Sequence, residues 1–154
     1  MAPSLCCDSL SRSGRADLAY SLATKKTIPS WGAMIEGGAT TLWEHWNFSD
    51  NTYSHNHPMF GSISAWFFAW LGGIQPQKDA MGFDKVALHP QFPEGLNWVK
   101  TSYHSVRGPI TVGWKRAGGK VALDVSLPPG CTATLHLPGG ATQELESGSH
   151  KLRV

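Results

Sequence analysis

The segment "GGATTLWEHWNFSDNTYSHNHPMFGS", Gly37 to Ser62, gathers the residues of this chain best suited to chemistry. Glu44 stands between Trp43 and His45, Trp46 follows, and His55 and His57 come after a turn-rich stretch. A carboxylate among indoles fits three settings: a buried structural corner, a metal site, or a sugar pocket with its catalytic acid or base. Partial shielding raises a glutamate's pKa toward the range useful for a general base, provided water still reaches it. Indole faces complement the axial C–H groups and methyl of a deoxysugar. Trp43 and Trp46 cannot both face where Glu44 points, because neighbouring and next-nearest side chains diverge on a helix or a strand. At most one stacks on a sugar while the other packs in a wall. Trp31 suits either a subsite wall or ordinary core. On residue type alone Glu44 could equally be a structural hydrogen-bonder and His57 a satisfied core histidine. Glu36, in "MIEGGATT", is the competing carboxylate, and two following glycines mark it as a solvated loop or helix-end residue.

His45, His55 and His57 raise a metal reading, since histidines at i and i+2 can chelate from a strand or loop, with Glu44 or Asp50 adding oxygen. The helical spacings H-x-x-x-H and H-E-x-x-H are missing from the sequence, so no metal is expected. The cysteines Cys6, Cys7 and Cys131 form no C-x-x-C pair or disulfide framework and read as reduced thiols of a cytoplasmic-type protein.

Two kinds of sequence surround this segment. From Pro3 to about Lys26, Leu5, Leu10, Ala16, Leu18, Ala19 and Leu22 recur at helical steps around Gly14, predicting two short helices or one broken helix. Ile28-Pro29 bars continuation. Pro58 to Leu71 predicts a further helix with Ile63, Trp66, Phe67, Trp70 and Leu71 on one broad side, stopped by Gly72-Gly73. Beyond about Gln77 the chain turns to short β-branched and aromatic runs separated by Gly- and Pro-containing turns. Alternation in Ile110, Val112, Trp114 and in Val121, Leu123, Val125, Leu127 gives each strand a buried and a wet face. "WKRAGGKV" is a hairpin. The expected architecture is mixed: helices in 1–77, then a small antiparallel β-sandwich in 78–154.

Composition narrows the class. With 154 residues, 41% hydrophobic and 16% charged, the chain is globular. A net charge of +2, with Arg107, Lys115, Arg116 and Lys120 dispersed, gives no nucleic-acid footprint. The longest apolar stretch, "ISAWFFAWLGGI", is well short of the ~20 residues that cross a bilayer. The N-terminal residues lack the pattern of a secretory signal. The helices are too apolar to bury themselves, so the chain reads as the tail of a larger protein.

The segments "SWGAMIEGGATTLWEHW" and "SHNHPMFGSISAWFFAWLGGI" resemble the C-terminal region of bacterial-type α-L-rhamnosidases, and "GFDKVALHPQF", "SYHSVRGPITVGW" and "LPPGCTATLHLP" extend the resemblance over essentially the whole chain. The resemblance implies the last helices of an (α/α)6 barrel followed by a β-sandwich. It implies Glu44 as the general base and His57 as a sugar-binding histidine, with the general acid upstream of this sequence. Family members commonly carry a longer segment between these motifs and a tyrosine after the histidine, where this chain has Pro58. Rhamnose-containing glycosides or polysaccharides are the implied substrates, hydrolysed with inversion and without a cofactor, and the implied partner is the preceding part of the barrel. A standalone carbohydrate-binding module and a truncated remnant are the rival expectations.

Overall fold

The computed structural model describes residues 3–51 and 54–154, the side chains from residue 5 onward. The chain divides into two compact units, one ending at Trp66 and one running from Phe67 to Val154.

The first unit is helical. α1 (Pro3–Arg12) and α2 (Ala16–Thr24) are separated at Gly14, whose φ of +75° ends the first helix in the left-handed region glycine adopts without strain. The break expected from the sequence is therefore present. Ala16, Ala19 and Ala23 bury one face of α2. Cys7 faces the same interior, where burial and its neighbour Cys6 push its thiol up to about 11. α3 (Trp31–Glu36) follows, then a long irregular segment, then α4 (Pro58–Gly61) and α5 (Ile63–Trp66). Among the described residues Trp66 ties α5 to α1: its buried indole N–H donates to Ser11 Oγ at 2.9 Å.

The single helix expected from Pro58 to Leu71 is broken. α4 ends at Gly61, α5 covers one turn, and Phe67–Leu71 forms a π-helical turn closed by a Gly72 N–H to Phe67 C=O bond of 2.9 Å. An i→i+5 bond widens the turn and shifts the angular positions of later side chains. Trp70 and Leu71 remain buried while Phe67, expected on the same side, is exposed.

The second unit is a sandwich of two four-stranded sheets. β1 (Ile74–Pro76), β2 (Lys85–Leu88), β6 (Thr132–His136) and β7 (Thr142–Leu145) make one sheet in the order β1-β2-β6-β7. β3 (Trp98–Ser105), β4 (Gly108–Ala117), β5 (Lys120–Leu127) and β8 (Gly148–Arg153) make the other in the order β3-β4-β5-β8. The sheets share a core in which Val86, Leu88, Ala133 and Leu135 meet Ile110, Val112, Trp114, Leu123 and Val125. The β4-β5 hairpin turns on Gly118 and Gly119, both at positive φ, as a two-residue primed turn requires. The sandwich is not wholly antiparallel, as the alternation had suggested: β2 and β6 run parallel, with Val86 opposite Ala133 and Leu88 opposite Leu135. Alternation reports which face is buried, not strand direction, and the long intervening chain between Leu88 and Thr132 leaves the partner undetermined locally.

Trp114 places its indole N–H 2.8 Å from the Leu71 carbonyl, satisfying the one polar atom of a 2% exposed side chain. Two residues on, Gly73 has φ +73° and a Cβ there would lie 2.1 Å from Pro90 N. Gly118 is also left-handed, at φ +58°, but a Cβ there would meet open space. Gly118→Ala should therefore cost about 1–2 kcal/mol from backbone conformation alone. Gly73→Ala should cost distinctly more and depress Tm further. Equal melting temperatures for the two variants would show that the Gly73–Pro90 approach is relaxed.

Candidate functional site

The irregular segment between α3 and α4 carries the residues singled out for chemistry except Trp31, which begins α3, and Glu36, which ends it. Ser30, 0% exposed, fixes the start of α3: its Oγ accepts from Ala33 N–H at 2.9 Å and donates to the Lys25 carbonyl. At the other end, Gly37 N–H returns to Ala33 C=O at 3.0 Å and Ala39 N–H to Met34 C=O at 2.9 Å. A Cβ at Gly37 would stand 3.0 Å from the Trp43 ring, so the missing side chain leaves room for that indole over the helix end. Glu36, the competing carboxylate, ends α3 and forms an exposed ion pair with Lys26 at 2.9 Å. It is a solvated helix-end residue, as its following glycines indicated.

Two legs of the segment then run side by side. His57 N–H donates to Leu42 C=O at 2.6 Å, and Glu44 N–H donates to Ser54 C=O at 3.1 Å. Thr41 adds a hydroxyl bond to the His55 carbonyl. The Glu44 side chain completes the second rung, its Oε2 accepting from Ser54 N–H at 3.2 Å. Glu44 thus bonds Ser54 through both backbone and carboxylate, and its side chain is half-buried. His57, also half-buried, stands immediately before α4, where Pro58 occupies the first helical position and needs no N–H partner.

Trp43 and Trp46 enter different aromatic clusters. Trp43, 6% exposed, packs edge-on against Phe48 at 5.2 Å, and Phe48 stacks on His55 at 5.0 Å. Trp46, half-buried, lies 5.3 Å from Trp31 and 4.3 Å from Phe60. Trp31 is 8% exposed and donates its indole N–H to the Phe60 carbonyl at 2.9 Å. Of the indoles in this segment, Trp46 therefore keeps the most accessible surface, while Trp31 and Trp43 are core.

The three histidines are dispersed in role. His45 is exposed, His55 sits against Phe48 with its Nε2 3.0 Å from the Ser49 carbonyl, and His57 lies on the far rung. Among the described residues no group of three or more His, Cys, Asp or Glu is placed to hold a metal ion. The partners that sequence reasoning missed are Ser54, which binds through its backbone, and Phe60. A backbone amide leaves no side-chain signal. Phe60 was legible only as an apolar residue soon after Pro58.

A carboxylate held at one oxygen by an amide keeps its other oxygen for a further acceptor role. The helical region at residues 2–71 matches the family model described as the bacterial alpha-L-rhamnosidase 6 hairpin glycosidase domain, and residues 73–152 match the bacterial alpha-L-rhamnosidase C-terminal domain. This two-part arrangement is that of a glycoside hydrolase segment. The chain belongs to the bacterial α-L-rhamnosidase family.

It is 30% identical, over 94% of its length, to an alpha-L-rhamnosidase of Streptomyces avermitilis, and 36% identical over 80% to one of Alteromonas sp.. It spans only 16% and 14% of those two relatives. Its structure superposes on that of a Streptomyces avermitilis alpha-L-rhamnosidase complexed with L-rhamnose, with a TM-score of 0.88 at 29% identity, covering 99% of this chain and 17% of the other. The alpha-L-rhamnosidase of Aspergillus terreus gives a TM-score of 0.90 at 28% identity, over 99% of this chain and 19% of the other.

Because Ser30 holds both the α3 N-terminus and the Lys25 carbonyl, Ser30→Ala should lower stability by about 1–2 kcal/mol. Urea titration followed by tryptophan fluorescence would read this as an earlier midpoint. An unchanged midpoint would mean that water replaces the hydroxyl without loss.

Proposed function

We propose that this chain is the C-terminal portion of an inverting α-L-rhamnosidase, which removes terminal α-L-rhamnosyl residues from glycosides or polysaccharides. The helical part of residues 1–77 forms the last helices of its (α/α)6 catalytic barrel, and the sandwich, which takes in β1 (Ile74–Pro76) as well as 78–154, is its terminal domain. Glu44 is the general base, and His57 holds the sugar at the scissile subsite. Trp46 offers the indole surface beside the sugar, while Trp31 and Trp43 build the wall that supports it. The general acid comes from the part of the barrel that precedes these helices in the family.

The observation that carries this reading is the tether of Glu44. Inversion places the base and the acid about 6.5–9.5 Å apart on opposite faces of the sugar, with the attacking water on the base side. A base in that position must hold its direction while a proton moves onto it. The Ser54 amide does this for one carboxylate oxygen. The second oxygen then receives the proton of water as its oxygen closes on the anomeric carbon, and the acid delivers a proton to the departing oxygen. These steps balance without a metal or organic cofactor.

In the complete enzyme, Glu44→Gln should lower kcat by about 10²–10⁴-fold, because the amide is isosteric but accepts no proton. This chain alone should release no product from an aryl rhamnoside. Near-normal turnover in the variant, or turnover by the isolated chain, would remove Glu44 from the base role or the acid from the missing portion, respectively.

A further inference from the structure

The outer face of the β3-β4-β5-β8 sheet has a composition that the sandwich does not need for its own stability. Register assigns each residue to a face. Val99, Trp114, Leu123 and Leu152 form one cross-strand row on the core side. The adjacent row Trp98, Lys115, Ala122 and Arg153 points outward, as does the row Lys100, Gly113, Asp124 and Lys151. Gly113, without a side chain, leaves a furrow of about 470 Å³ between Lys100 and Asp124, with Trp98, Lys115 and Thr111 at its edges. A furrow of that size is within the range of small-ligand sites.

Trp98 is 67% exposed at the end of this furrow. Four cations, Lys100, Lys115, Lys151 and Arg153, surround one anion, Asp124, and among the described residues none of the five is in an ion pair. We propose that this face binds an acidic, uronate-bearing polysaccharide chain through Trp98 and the cations around the Gly113 furrow. The indole supplies a flat apolar surface for the C–H face of one sugar. The lysines, spaced across neighbouring strands, meet carboxylates that such a chain carries one per acidic sugar. Asp124 and Thr111 accept or share hydrogen bonds with sugar hydroxyls. A neutral polysaccharide would leave the cations unused. A nucleic acid would set its phosphates against Asp124 and find only one stacking residue. The proposal rests on the sandwich alone and is independent of Glu44.

Affinity electrophoresis of the purified chain in gels containing polygalacturonate tests it, with carboxyl-reduced polygalacturonate, dextran sulfate and duplex DNA in parallel. Polygalacturonate should retard the chain and its carboxyl-reduced form should not. Trp98→Ala, and separately Lys100→Gln with Lys115→Gln, should each weaken retardation by about tenfold or more. All these side chains are exposed, and an unchanged circular dichroism spectrum confirms folding. No retardation of the parent chain, full retardation of Trp98→Ala, or tighter binding to dextran sulfate or DNA would each overturn the proposal.

Discussion

The hydrogen bond from the Ser54 amide to the Glu44 carboxylate is the constraint on which the arrangement of this site depends. Among the described residues between α3 and α4 none lies in a helix or strand, and such a segment has a large conformational entropy to lose, with few backbone bonds to offset it. Here two rungs, Leu42 with His57 and Glu44 with Ser54, close the segment on itself. The aromatic residues between and beside those rungs do the remaining work. Phe48 meets Trp43 edge-on and stacks on His55 in one cluster, and Phe60 and Trp31 hold Trp46 in the other. The acidic group is thus positioned by a backbone amide. Such a setting limits the directions a carboxylate can take.

The α-helical and β-sheet units differ in how they achieve order. The first buries small and aromatic side chains over short helices whose ends are fixed by Gly14, Ser30 and Gly37. The second closes a continuous apolar core between two sheets and uses Trp114 both as core and as an anchor for the Leu71 carbonyl. The sheet that contributes Trp114 inward presents Trp98 outward from the strand beside it. Its two faces are therefore governed by different demands, exclusion of water on one and, in our proposal, recognition on the other.

Where the sequence was legible, the signal was local. Gly14 interrupts a helical repeat, Gly118-Gly119 joins two alternating runs, and the alternation of Ile110, Val112 and Trp114 states which face is buried. The position of Glu36 before two glycines identified it as a solvated residue of a loop or helix end. What stayed hidden was non-local or carried by backbone. The parallel β2–β6 pair joins strands far apart in sequence. The π-helical turn at Phe67–Leu71 differs from an α-helix by one bond, and nothing in five apolar residues specifies that bond. The Ser54 amide that holds Glu44 is invisible to any reading of side-chain types. The family resemblance supplied the roles of Glu44 and His57; residue chemistry alone left both open.

The proposed base role makes a stereochemical demand that separates it from a structural one. In the complete enzyme with Glu44→Ala, azide diffusing into the vacated space should restore turnover of an activated rhamnoside, since an anionic nucleophile needs no base. NMR of the product should show a rhamnosyl azide whose anomeric configuration is opposite to that of the substrate. Failure of azide to restore turnover, or an azide product of retained configuration, would contradict the assignment of Glu44 as the residue that activates water.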